Sequence, residues 1–167
     1  MAENYVVIDG LQLAYSGYFD FKNLYRIIDI WLSRNDYEKM EVKNIEQVSE
    51  TGRSIEIELV PYKNFNKYSR SIINVIIVAT RLKDKIVKIN DVEHKINDGN
   101  IFITFSSILK TDYEGKWPSE RPFFAFIRTI VDKYIYRIDY TRYTDKIHED
   151  TMSLHNEIKS YLNLNKF

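Results

Sequence analysis

Cysteine is absent from this chain of 167 residues. That excludes disulfides, thiol nucleophiles and thiolate metal sites, and it accords with a cytoplasmic compartment. Glycine (5) and proline (3) are scarce, so no long flexible linker is expected. A dominant charge is missing too. Lys and Arg number 24 and Asp and Glu number 24, so no overall field draws in nucleic acid or an anionic membrane. The most apolar run, Ile72 to Ala79, is broken by Asn74 and is far too short to cross a bilayer. The opening Met1-Ala2-Glu3-Asn4 lacks the basic and apolar regions of a secretory signal. No glycine-rich phosphate loop, nucleophile elbow or His/Glu metal motif occurs, so no cofactor, metal or catalytic residue is expected.

What is present is an ordinary core composition with many aromatics. Hydrophobic residues make up 44% and charged residues 29%, with 13 Tyr and 9 Phe. The length suits one domain with a proper core. No internal repeat is visible.

The longest periodic stretch runs from Ser119 to Leu162 and reads as one amphipathic helix. Ser119 is placed to cap it, Glu120 suits the first-turn dipole, and Pro122 is tolerated where its missing N–H had no partner. Phe123, Ile127, Ile130, Tyr134 and Ile138 form a broad apolar face. Near Tyr140 the stripe changes phase. Tyr140, Tyr143, Ile147, Thr151, Leu154, Ile158 and Tyr161 then make a narrower seam. Such a helix would be roughly 65 Å long, against a globule of roughly 35 Å. Its first half is expected on the core, within a domain spanning 1–139. Residues 140–167 are expected to project as an interaction segment, with the alternative of a break near Arg142 to Asp145 and folding back.

Upstream, Tyr5 to Ile8 and Leu11 to Tyr15 are strand candidates, with Ser16-Gly17 a turn signal. Asp20 caps a helix from Phe21 to about Arg34, whose apolar positions follow the 3.6 period. Met40 to Val48 reads as a strand. Ser54 to Val60 alternates Ile55, Ile57 and Leu59 with Glu56 and Glu58, the mark of a half-buried antiparallel strand. Arg70 to Leu82 is apolar on both faces, as in a central strand. Ile86 to Ile89 and Val92 to Ile96 suggest a small hairpin. Asp98-Gly99 is the strongest hairpin-turn signal, before a strand from Asn100 to Lys110. A run of antiparallel strands between two helices predicts an α+β fold: an antiparallel meander with an N-terminal helix and a long C-terminal helix across it.

That order of elements, as far as Ile138, resembles the helix-grip plan of START-like proteins. The resemblance implies an apolar cavity for a hydrophobic small molecule, here bounded by Phe102, Phe105, Phe123, Phe126 and Ile127. The stretches Tyr15-Ser16-Gly17-Tyr18-Phe19-Asp20-Phe21 and Asp112-Tyr113-Glu114-Gly115-Lys116-Trp117 are similar to parts of small uncharacterised archaeal proteins, a likeness that brings no activity with it.

Other residues invite chemistry and have a plainer explanation. His148 and His155 are seven apart, a long span for one ion on a helix, and read as solvated or interface residues. Glu56 and Glu58 lie about 7 Å apart on one strand face, as any wet strand face provides. Tyr62, Lys63, Phe65, Lys67, Tyr68 and Arg70 interleave three cations with three aromatics, a composition that can stack bases and hold phosphates. The plain reading is a loop closing one end of the core. The reading that follows is a non-enzymatic protein that self-associates or docks a protein partner through the seam from Tyr140 to Tyr161. The alternatives are a hydrophobic-ligand module and, less favoured, an RNA- or DNA-associated factor; no membrane partner is expected.

Overall fold

The structure, a computed structural model, describes residues 3–89, 92–113 and 136–164. The described chain is α+β: β1 (Glu3–Phe19), α1 (Phe21–Arg34), β2 (Glu41–Ser49), β3 (Gly52–Leu59), β4 (Tyr62–Asn64), β5 (Ser69–Ile89), β6 (Val92–Thr111) and α2 (Tyr136–Leu164). All strand pairings are antiparallel, in the order β1-β6-β5-β3-β2, with β4 beside β5.

Local chemistry explains α1 well. The Asp20 carboxylate accepts the backbone N–H of Asn23 at 3.0 Å, satisfying a donor that the helix itself cannot. Leu24, Ile28, Trp31 and Leu32 recur at helical spacing and are buried. The alternation of β3 also holds, with Ile55, Ile57 and Leu59 buried on the helix-covered face. Ile73, Val75, Ile77 and Ala79 of β5 and Ile101, Ile103 and Phe105 of β6 extend that face. α2 lies across β1, β5 and β6 and abuts α1.

Two local expectations are corrected, and one alternative is set aside. Ser16-Gly17 is not a turn, because β1 is one strand in which Ser16 pairs with Asn100 and Gly17 with Gly99. Asp98-Gly99 is not a turn either. Asp98 pairs with Lys83, and the reversal falls between Ile89 and Val92, which pair with each other. Glycine at 99 answers a close approach: a Cβ there would sit 2.9 Å from both the Leu82 side chain and the Thr80 carbonyl oxygen. That crowding comes from a bulge in β5, where Arg81 takes φ 55° and the register shifts between Thr80 and Lys83. Finally, no break interrupts α2 near Arg142 to Asp145.

Candidate functional site

The helix seam comes first, because the sequence singled it out. Ile147, Leu154 and Ile158, with Leu162, are fully buried, and Leu154, Ile158 and Leu162 belong to the same core cluster as the sheet. The expected projection of residues 140–167 is therefore not what the chain does: its own sheet occupies this stripe. Tyr143 stacks on Phe65 with ring centroids 4.5 Å apart. Tyr140 meets Tyr5 edge-on at 4.9 Å. The Tyr161 hydroxyl donates to the Asp20 carbonyl at 3.0 Å, tying the end of α2 to the start of α1.

Sequence patterning placed Thr151 on this face but missed Asp150 and the burial of His155. Asp150, Thr151 and His155 are buried. The Tyr37 hydroxyl lies 2.9 Å from Ser71 Oγ and donates to Asp150 Oδ2 at 3.1 Å, while Lys146 Nζ reaches Asp150 Oδ1 at 2.8 Å. Each buried polar atom here has a partner, as burial demands. Thr151 Oγ1 donates to the Ile147 carbonyl, and the His155 ring stands edge-on to Phe105. The helical spacing of the Asp and the isolated Tyr37 gave no signal that they would meet. Burial drives the Tyr37 phenol pKa well above its ordinary value, and the hydrogen bond to Asp150 raises that of Lys146.

A pH prediction follows. A folded-state pKa raised above the unfolded value favours the protonated folded form. Stability from Tyr37 is complete below the ordinary tyrosine value of ~10 and drains away as pH rises toward the folded value. Urea denaturation should show wild type weakening across that alkaline window. Tyr37→Phe should be destabilised by ~1–3 kcal/mol at neutral pH and should show a flatter alkaline limb.

The basic–aromatic stretch is folded onto its own neighbours. Arg70 sits between the rings of Tyr62 and Tyr113, at 4.3 and 4.2 Å, and donates through Nε to Asn64 Oδ1 at 2.7 Å. Tyr62 donates to the Glu38 carboxylate. Lys63 donates to the Asn35 carbonyl at 2.9 Å. Phe65 is the ring beneath Tyr143. Asn66 Oδ1 accepts the N–H groups of Tyr68 and Ser69, closing the turn, and Lys67 is exposed. A groove of about 1080 Å³ beside this turn mixes Arg142 and Lys146 with Asp145 and Glu149, so it carries no single-sign field.

The residues named for a ligand cavity do not converge. Phe105 is buried on the helix-covered face, whereas Phe102 is 53% exposed on the opposite face. An odd spacing along a strand separates them, because side chains alternate. Phe123, Phe126 and Ile127 lie outside the described residues. A cleft exists elsewhere, between the start of α1 and the inner face of β2 and β3, with a volume of about 670 Å³. Phe21, Tyr25, Ile55 and Ile57 supply its apolar surface, and Glu41, Arg53 and Lys95 are among its charged groups. Those charges are tied down. Asp84 accepts from Lys95, Asn97 and Arg53 at 2.8, 2.8 and 3.3 Å, and the hydrogen bond from Lys95 leads in holding its carboxyl below the usual range. Asn97 Oδ1 in turn accepts the Phe21 N–H at 3.1 Å.

The remaining chemistry resolves plainly. Glu56 pairs with Lys43 at 2.7 Å, and Glu58 accepts from Asn74 at 3.1 Å. His148 is exposed whereas His155, two turns further along α2, is buried against Phe105, so the two imidazoles do not form one site, and His94 is exposed. Among the described residues no cluster of His, Asp and Glu is arranged to hold a metal ion, and no helix is long and apolar enough to cross a membrane.

Exposed apolar side chains include Ile86 of β5 (70%) and Val6 of β1 (66%), and three more gather on the short strand β2. Val48 is 81% exposed, Val42 60% and Ile45 42%, alongside Phe102. β2 occupies one margin of the described sheet and is exposed along nearly its whole length. Sequence reading found this strand but not its position, since strand order cannot be read from alternation. Comparison with known proteins yields no matching family model and no matching curated protein.

Proposed function

We propose that this is a non-enzymatic, cytoplasmic interaction protein that self-associates or docks a protein partner, and that the sheet's exposed margin makes the contact in place of the α2 seam. The observation carrying this reading is the exposure of Val42, Ile45 and Val48 on one edge strand. Such edges template pairing with another chain. The test compares wild type with a variant carrying Val42→Thr, Ile45→Thr and Val48→Thr, which keeps β-branched residues in the strand. Mass is measured by light scattering across concentration, and co-purification from source-cell extract at fixed stoichiometry is scored alongside. The reading expects assembly or partner retention by wild type and its loss in the variant. Equal behaviour in both assays overturns it.

A second reading, a hydrophobic-ligand module, draws support from the cleft beside α1. Native mass spectrometry of freshly purified protein tests it: a retained apolar small molecule supports the module, and a bare chain argues against it. The nucleic-acid reading draws little support, because Tyr62, Phe65 and Arg70 are engaged with Glu38, Tyr143 and Tyr113.

A further inference from the structure

The outermost strands of the described sheet are β1 and β2, and the β5–β6 arm from Lys83 to Ile96 has no further strand beside it among the described residues. β1 is interrupted by register shifts between Val6 and Ile8 and between Ile8 and Leu11, with Gly10 at φ 68°. Bulges of this kind twist an edge away from would-be partners. β2 has one shift, between Glu41 and Lys43, and is regular from there to Ser49. It contains no proline. Charge is the remaining common guard of an edge, and the three charged residues of β2 are all drawn sideways into their own subunit. Glu41 accepts from Tyr25 and, at 3.1 Å, from Asn44. Lys43 pairs with Glu56 at 2.7 Å, and Glu46 with Arg53 at 3.1 Å. No described strand pairs with the outer edge of β2.

Resting on the association reading, we propose that the occupant of this edge is β2 of a second copy, paired antiparallel about a two-fold axis at Ile45. The argument is self-complementarity. A two-fold perpendicular to the sheet keeps inner face beside inner face, so each residue must pair with one of equal parity. Over the regular stretch from Lys43, centring on Ile45 sets Ile45 against Ile45, Lys43 against Gln47, and Asn44 against Glu46. Ile45 then meets its own copy, an amide meets a carboxylate, and no like charges are opposed. Centring on Glu46 would oppose two carboxylates. Centring on Asn44 would set Ile45 against Lys43. Opposite faces also agree: on the uncovered face the cross-strand row Ala14, Phe102, Val78, Glu56, Ile45 continues through the axis into its own copy. Stable interfaces bury about 1,200–2,000 Å². A single strand pair of nine residues is a small contact by that measure, so the dimer is concentration-dependent.

The absence of cysteine makes the test clean. In Ile45→Cys, the two thiols lie directly opposite, with Cα atoms about 4.5–5.5 Å apart, within disulfide range. Mild oxidation should cross-link it, whereas Gln47→Cys alone should stay uncross-linked because position 47 faces position 43. Ile45→Lys opposes two ammonium groups and should run as a folded monomer at concentrations where wild type dimerises. An equimolar mixture of Ile45→Lys and Ile45→Glu should regain dimer mass. If wild type assembles while Ile45→Lys assembles equally and Ile45→Cys does not cross-link, the strand pairing is overturned and the association reading stands. If wild type stays monomeric over three decades of concentration, the second copy is overturned, and the association reading then rests on the extract experiment.

Discussion

A chain ending at residue 139 should not fold. The segment beyond it supplies Ile147, Leu154, Ile158 and Leu162, all buried, and the acceptor Asp150 for Tyr37. Emptying a buried Leu or Ile position to Ala costs about 2–5 kcal/mol. Four such losses together match or exceed a typical total stability of ~5–15 kcal/mol. The truncation should therefore show no cooperative thermal transition and should expose its sheet to an apolar dye. Ile158→Ala in the full chain, losing one such contribution, should retain a cooperative transition at lower denaturant. A truncated chain that melted cooperatively would show that the sheet and α1 suffice, and that α2 is the accessory arm the sequence suggested.

Why did the sequence suggest an arm? The helix length was set against a near-spherical globule. β5 and β6 span 21 and 20 residues, and at roughly 3.3 Å per residue such strands are far longer than that globule is wide. α2, with 29 residues, is about 44 Å long and finds room on them. The phase of the seam was legible: Ile147, Leu154 and Ile158 do share one face. Its destination was not, because periodicity says which face is apolar and nothing about what covers it.

The same limit recurs in smaller form. α1 was legible because its cap, period and end are all local. β3 was legible because one wet face makes alternation clean. Asp98-Gly99 misled because glycine has two uses, positive φ in a turn and close approach in a sheet, and here the second applies at the Arg81 bulge. Phe102 and Phe105 were grouped by type although their spacing already put them on opposite faces. The β2 edge left no local trace, since nine residues of mixed character look alike in the middle of a sheet and at its margin.

Trp31→Ala should be the most damaging single substitution in α1. Its indole is fully buried, packs against the Tyr37 ring at a centroid distance of 5.6 Å, and donates through Nε1 to Ser153 Oγ at 3.2 Å. It thus stands where α1, the Tyr37 network and α2 meet. Truncating a buried Trp costs about 3–5 kcal/mol, and here the void also adjoins Tyr37, whose hydroxyl geometry holds Ser71 and Asp150. The substitution should therefore lower the urea midpoint by most of the available range and also erase part of the alkaline sensitivity that Tyr37 confers. Trp31→Phe keeps most of the ring and loses the hydrogen bond, so its cost should be nearer ~1 kcal/mol. Measuring Trp31→Ala, Tyr37→Phe and the double variant gives the coupling directly. A double variant clearly less destabilised than the sum of the singles places the two rings in one cooperative unit, as expected for contacting residues. Strict additivity would mean that α1 is held by its aliphatic stripe alone and that the indole–Tyr37 contact contributes packing without coordination.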